Sequence, residues 1–197
     1  MTNPPSTVLS VLDICNLALS KLGESPIESL NPNGTPPARL CYMHYHPTRR
    51  EVLVANRWAF ATTVVTLNAA QQDSSGIHSL SHTLPPDCLR VLEVNSPGWT
   101  LRGRCIFCPA SSIRLRYIAD VEDTSLFTPL FTEALATRLA CKLCIPLTGS
   151  TTARQMLTDE YNRITLPTAA HFDAVQSHSN DSHPLRKLFS LSAAPLP

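Results

Sequence analysis

Apolar residues change their spacing twice along the chain, and few folds accommodate both changes. Near the N-terminus they recur every three or four residues, as on one face of a helix: Leu12, Cys15, Leu19 and Leu22. Within residues 83–119 they come to alternate with polar residues, as in a half-buried strand: Ile113, Leu115 and Tyr117 around Arg114 and Arg116. Helical spacing then returns: Leu130, Ala134, Leu135, Leu139 and Leu143. This order predicts an α+β fold.

The two helical regions are expected to form one bundle, because neither buries an apolar face alone. We predict a bundle of about four helices from residues 8–62 and 124–176, with a small antiparallel β module, residues 63–123, inserted between them. Residues 177–197 are polar and then rich in proline, so we expect an extended or mobile C-terminal tail.

Capping residues mark the helix starts. Ser10 and Asp13 have the spacing of a capping box. Thr35 and Thr128 each precede a proline, which suits the first turn of a helix, and Ser150 can cap the last helix.

Helix ends are predicted from prolines and glycines. The second helix should run over residues 36–58, with a kink near Pro47, since proline lacks a backbone N–H. Pro146 and Gly149 are expected to stop the third helix, and Pro167 to end or kink the fourth.

Composition argues for a surface that partners cover. The chain of 197 residues is 43% hydrophobic but only 16% charged, and thirteen of its sixteen basic residues are arginine. Arginine is enriched at protein interfaces, although GC-rich codon usage would have the same effect. The net charge of +1, with no basic stripe, argues against a protein that reads DNA sequence.

No targeting or membrane segment is expected. Residues 1–7 lack the basic start and apolar run of a secretory signal. The longest apolar-rich stretch, residues 126–147, is interrupted by polar residues and cannot span a membrane. We therefore expect a cytosolic site of synthesis, with seven reduced cysteines.

Two CxxC pairs are the strongest candidates for a metal site. Cys105 with Cys108, and Cys141 with Cys144, could form a tetrahedral zinc site. The first pair lies in a strand-like stretch, and the second lies inside a predicted amphipathic helix. We favour the interpretation that these cysteines are small buried apolar residues, with zinc as the alternative.

Other polar clusters are weaker candidates. His44 and His46 point about 200° apart on a helix, so one ion cannot easily bind both. Asp120, Glu122 and Asp123 could serve acid–base chemistry, but acids just before a helix are also favoured by its dipole. No phosphate-binding loop or nucleophile elbow occurs in the sequence, so we expect no enzymatic activity and no cofactor.

Several short strings are distinctive: ICNLALSKLG at 14–23, ARLC at 38–41, Tyr45, Arg49, Arg50, Leu53, WAFA at 58–61, LPPDCLRVL at 84–92, Tyr117, Asp120, Val121, Asp123, Phe127, Phe131, Ala134, Leu135, Ala136 and PLTG at 146–149. Over residues 12–175 these strings resemble, in the same order, the phage tail tubular protein A family, the head-to-tail adaptors of T7-type podoviruses. Three features depart from the family pattern: Pro47, the cysteine pairs and the tail after Val175.

The resemblance implies a structural virion protein at the head–tail junction, made in the host cytoplasm. Its subunits would form a ring, twelve-fold in the family, between the portal protein and the tail nozzle protein. Double-stranded DNA would pass through the lumen without sequence recognition. The resemblance leaves open whether tail fibres attach.

Two segments are candidate contacts in such a ring. Apolar residues of the tail are expected to dock on the portal or a neighbouring subunit: Leu185, Leu188, Phe189 and Leu191. The acidic segment Asp120, Glu122 and Asp123 is expected to face the lumen or a subunit contact.

Other functions fit the sequence less well. A head-completion or stopper protein is the first alternative, although such proteins are usually smaller and richer in β structure. A small zinc-containing virion protein or a packaged hydrolase would need a convergent set of catalytic groups. A transcription factor would need a basic recognition helix, whereas Asp159 and Glu160 balance Arg154 and Arg163 in the last helix.

Overall fold

The fold is α+β: helices from both ends of the chain form one bundle, and an antiparallel β module is inserted between them. The structure, a computed structural model, describes residues 8–69, 71–72 and 80–178. The principal helices and strands are α1 (Val11–Ser20), α2 (Pro36–Ala55), β1 (Thr62–Asn68), β2 (Gln71–Gln72), β3 (Leu80–Thr83), β4 (Cys88–Val94), β5 (Thr100–Arg102), β6 (Cys105–Cys108), β7 (Ser112–Ala119), α3 (Pro129–Thr148), α4 (Thr151–Glu160) and α5 (Leu166–His178).

Local capping explains most of the helix boundaries. Ser10 Oγ accepts a hydrogen bond from the backbone N–H of Asp13 at 3.2 Å, and Asp13 accepts from the N–H of Ser10 at 2.8 Å, which completes the predicted capping box. Thr128 and Ser150 cap α3 and α4 in the same way. Thr35 precedes α2 but makes no side-chain capping bond.

Neither Pro146 nor Pro167 ends its helix, so the ends predicted at these two prolines were wrong, while the predicted stop at Gly149 is confirmed. Helix α3 continues past Pro146 and ends only at Gly149, which has the left-handed φ of +68° that glycine readily adopts. Pro167 does not end the last helix, because a π-helical segment, Tyr161–Thr165, immediately precedes it and α5 extends to His178. The wider π turn re-routes the backbone hydrogen bonds that proline would otherwise disrupt.

Helix α2 also runs without a break through Pro47, and it ends at Ala55 rather than at residue 58. Pro47 is exposed, while Tyr45, Val52 and Leu53 on the opposite side are buried. Packing of this buried face holds the helix together and outweighs the cost of an internal proline, which is about 3 kcal/mol or more from the lost hydrogen bond and the ring clash together.

Two small sheets form the β module. Strands β1, β7 and β4 form one sheet in that order, and β2, β3, β6 and β5 form the other. All of the pairings are antiparallel. In β7 the predicted alternation is confirmed: Ile113, Leu115 and Tyr117 are buried, and Arg114 and Arg116 are exposed.

Each part of the fold has its own apolar core. Helices α1, α2 and α4 all pack on α3, which is central to the bundle. The helical core is anchored by Trp58, which lies edge-to-face with Phe131 at a ring-centroid distance of 5.0 Å. The core of the β module includes Ile106 and Leu115. Strand β7 joins the two, because its Ile118 belongs to the helical core.

Candidate functional site

The cysteine pairs do not converge. Cys105 and Cys108 lie on β6, and Cys108 is in the core of the β module, whereas Cys141 and Cys144 on α3 are in the helical core. Among the described residues, no three His, Cys, Asp or Glu side chains are arranged to hold a metal ion. Burial raises the pKa of the Cys141 thiol, which disfavours the thiolate that zinc binds.

A third pair of thiols was not anticipated. Cys15 of α1 and Cys41 of α2 are fully buried, and the nearby Cys41 thiol together with burial raises the pKa of Cys15. No CxxC spacing marks them, because they come from different helices. Both behave as small apolar residues of the helix interface.

The acidic segment meets two arginines of α2. Asp120 accepts hydrogen bonds from Arg49 Nη2 at 2.6 Å and from Arg50 Nε at 2.7 Å. Arg49 Nη2 also donates to Glu122 at 2.8 Å. The guanidinium of Arg49 is only 1% exposed, so these carboxylates neutralise a buried charge at the junction of bundle and β module. We call Arg49, Arg50, Asp120 and Glu122 the junction cluster.

The members of the acidic segment differ in their surroundings. Asp120 is mostly buried, whereas Glu122 is mostly exposed, and its hydrogen bond from Arg49 lowers its pKa. Asp123 caps a short 3₁₀ turn by accepting from the backbone N–H of Ser125 at 2.9 Å. Pairing within the chain therefore explains Asp120 without an external partner, while a lumen or subunit contact through Glu122 and Asp123 stays a prediction.

Arg49 could have been singled out from spacing alone. It lies four residues after Tyr45 and three before Val52, both buried, so an arginine occupies the apolar face of α2. A charged residue in that position requires a partner with opposite charge. The sequence does not say that the partner is Asp120, which is 71 residues away.

Two further ion clusters fix the helices of the bundle. Glu51 of α2 accepts from Arg138 Nε at 2.8 Å and pairs with Lys142 Nζ at 3.1 Å. Burial would raise the pKa of Glu51, but these two cations lower it on balance. At the other end, Lys21 pairs with Glu133 at 2.6 Å. These contacts stabilise the helix packing.

The two histidines of α2, His44 and His46, have different surroundings. His46 is exposed and lies edge-on to Tyr45, with ring centroids 5.3 Å apart, and His44 is half-buried. Neither belongs to a group of metal-binding residues in the described part of the chain.

An apolar groove opens on the outer side of α2. It has a volume of about 480 Å³, and Tyr42 and Met43 in it are 52% and 63% exposed. We call it the α2 groove; its lining residues are Pro32, Pro36, Arg39, Leu40, Tyr42 and Met43. Met43 follows Leu40 at helical spacing, but spacing alone does not reveal that its side chain is exposed rather than buried. A groove of this kind is suited to receive a side chain of another protein.

The predicted tail contacts, Leu185, Leu188, Phe189 and Leu191, lie outside the described residues. None of the helices in the described part of the chain is long and apolar enough to cross a membrane. No protein-family model matches the chain, and no curated protein matches it significantly.

Proposed function

We propose that this chain is a structural virion protein, a subunit of the adaptor ring that joins a phage portal to its tail nozzle. The observation that carries the proposal concerns the strings that resemble the tail tubular protein A family. Residues of strings that are far apart in the sequence contact one another in the fold. Arg49 contacts Asp120 at 2.6 Å, and the hydroxyl of Tyr117 donates to Asp87 at 3.2 Å. All four residues belong to those strings, as do Trp58 and Phe131 of the helical core.

The α2 groove supports the proposal that the chain forms a ring. A subunit in a closed ring presents one surface to the preceding neighbour and a different one to the next. Such contacts exclude water from apolar side chains, and the groove leaves Tyr42 and Met43 exposed in the isolated chain. The groove is therefore assigned to a lateral subunit contact, and the lumen of the assembled ring conducts DNA.

Light scattering tests the proposal. We expect the purified chain to be a monomer and to join the matching portal at about one chain per portal chain, since the portal is the template for the ring. Replacement of Tyr42 and Met43 by Glu should abolish this co-assembly and leave the monomer folded, because both side chains are exposed.

Val64→Glu is the matched control. Val64 is also exposed, and it lies opposite Arg116 on the neighbouring strand, so a carboxylate is tolerated there. The control should assemble as the wild type does. If the wild-type chain does not bind the portal, the adaptor role is contradicted. If the wild-type chain binds a ring other than the portal, a stopper or head-completion protein is favoured.

A further inference from the structure

Helix α5 carries an apolar stripe on its outer side. Ile164, just before the helix, and Phe172 and Val175 within it are 62%, 53% and 55% exposed. Phe172 and Val175 lie within about 60° of each other at 100° per residue, and Ile164 lies in the π-helical segment that leads into the helix. We call these three residues the α5 stripe.

The rotation of α5 is fixed by its inner side. Ala169 and Asp173 are buried there, and the Asp173 carboxylate accepts a hydrogen bond from the backbone N–H of Ala59 at 2.9 Å. Burial raises the pKa of Asp173, while this hydrogen bond opposes the shift. The stripe thus faces away from the bundle, and no described element covers it.

The chain continues directly from this helix into a segment of matching chemistry. Leu188 and Phe189 lie three and four residues after Leu185, and Leu191 follows. Between them and α5 lie Asn180, Asp181, Ser182 and Pro184, residues that favour turns.

The connection is long enough for the segment to return along α5. Six residues lie between His178 and Leu185, and the seven extended Cα-to-Cα steps that join the two span up to about 24 Å. From His178 back to Ile164 the helix rises about 21 Å. So short a loop also closes at a small entropic cost.

We propose that residues 185–191 pack across the α5 stripe of their own chain. The α5 stripe is favoured over the α2 groove because it begins where the segment leaves the fold. The proposal stands whether or not the chain is an adaptor subunit.

Trypsin provides the test, because Arg186 and Lys187 lie within the segment. We expect cleavage at these residues in the full chain to be slower by about tenfold or more than in a synthetic peptide of residues 179–197, since a packed segment must open before it is cut. Phe172→Glu with Val175→Glu should raise the rate to that of the peptide. Tyr42→Glu, an equally exposed site in the α2 groove, should leave it unchanged.

A photo-crosslinking phenylalanine analogue at position 172 tests the same contact without disturbing the stripe by charge. We expect it to crosslink to residues 185–191 of the same chain. A mixture of isotopically labelled and unlabelled protein distinguishes crosslinks within one chain from crosslinks between two chains. In the trypsin test, cleavage of the full wild-type chain as fast as the peptide would overturn the proposal. Protection that grows with protein concentration, or crosslinks between labelled and unlabelled chains, would overturn it in favour of a second copy.

Discussion

At the scale of single residues, the most consequential side chain is Arg49. Its charge is buried, and both of its hydrogen bonds come from Nη2, whereas its Nε has no partner among the described residues. An arginine placed in this way is held by Asp120 and Glu122. Its removal leaves Asp120 with Arg50 alone and opens a space beside Tyr45.

We predict that Arg49→Ala lowers the free energy of unfolding by about 3–5 kcal/mol, because it breaks a buried ion pair. Urea denaturation followed by circular dichroism measures the change. Arg57 is exposed, and Arg57→Ala should stay within about 0.5 kcal/mol of the wild type. An Arg49→Ala variant as stable as the Arg57→Ala variant would show that the junction cluster contributes little.

At the scale of helices, charge links α2 to α3 through Glu51. Folding lowers the pKa of this carboxyl, so the folded state favours its ionised form. The resulting stabilisation is fully present above the ordinary glutamate pKa of about 4.3 and is lost as the pH falls through the folded pKa. The pairing with Arg138 and Lys142 is therefore sensitive to acid.

We predict that Glu51→Gln destabilises the protein at neutral pH and that the difference from the wild type narrows on acidification below about pH 4.3. Urea midpoints of both proteins across this range measure the difference. Glu133→Gln is a suitable comparison, since Glu133 pairs with Lys21 at the end of α1 and not with a residue of α2. A difference that is constant with pH would exclude the ionised form of Glu51 as the cause.

The π-helical segment sets the rotation of α5. Its five residues carry an extra residue per turn, and Ala169 and Asp173 face the bundle as a result. The sequence predicted that Pro167 ends or kinks the last helix, and the helix instead continues through Pro167 after a π turn. A proline can end a helix, kink it or follow a π turn, and only contacts with the rest of the fold decide among these.

We predict that deletion of the exposed Asn162 turns α5 by about 100° and removes Asp173 from Ala59. The lost hydrogen bond and the unpaired N–H should lower the free energy of unfolding by about 1–3 kcal/mol. Thermal and urea unfolding measure this, and Asn162→Ala, which keeps the chain length, should be nearly neutral. Equal stability of the two variants would mean that the π turn does not determine the packing of α5.

At the scale of the whole molecule, strands β4 and β7 and the junction cluster join the two cores. Strand β7 places Leu115 in the β module and Ile118 in the bundle, and Val121 packs against both. Arg49 connects α2 to the segment that follows this strand. These links should make the two parts unfold together.

The two tryptophans make this testable, because Trp58 lies in the bundle and Trp99 packs on the β module. In Trp58→Phe, fluorescence reports the β module, and far-ultraviolet circular dichroism reports mainly the helices. We expect both signals to give the same urea midpoint. Separate midpoints would show that the module unfolds on its own.

The sequence by itself determined the features that depend on neighbours a few residues apart. Capping at Ser10, the end of α3 at Gly149 and the alternation along β7 follow from local hydrogen bonds, backbone conformation and side-chain period. The class of fold follows from the order of these elements. The low density of charge predicts surfaces that partners cover, but it does not locate any of them.

Only the tertiary structure decided which apolar residues stay exposed and which charges meet. Met43 and Ile164 fit helical stripes by spacing, yet α2 and the last helix turn other faces inward. Arg49 donates a hydrogen bond to Asp120, which is 71 residues away in the sequence. Pro47 lies inside a continuous helix. The physical reason is that packing free energy is summed over the whole buried surface, and it outweighs a local preference of a few kcal/mol at any single residue.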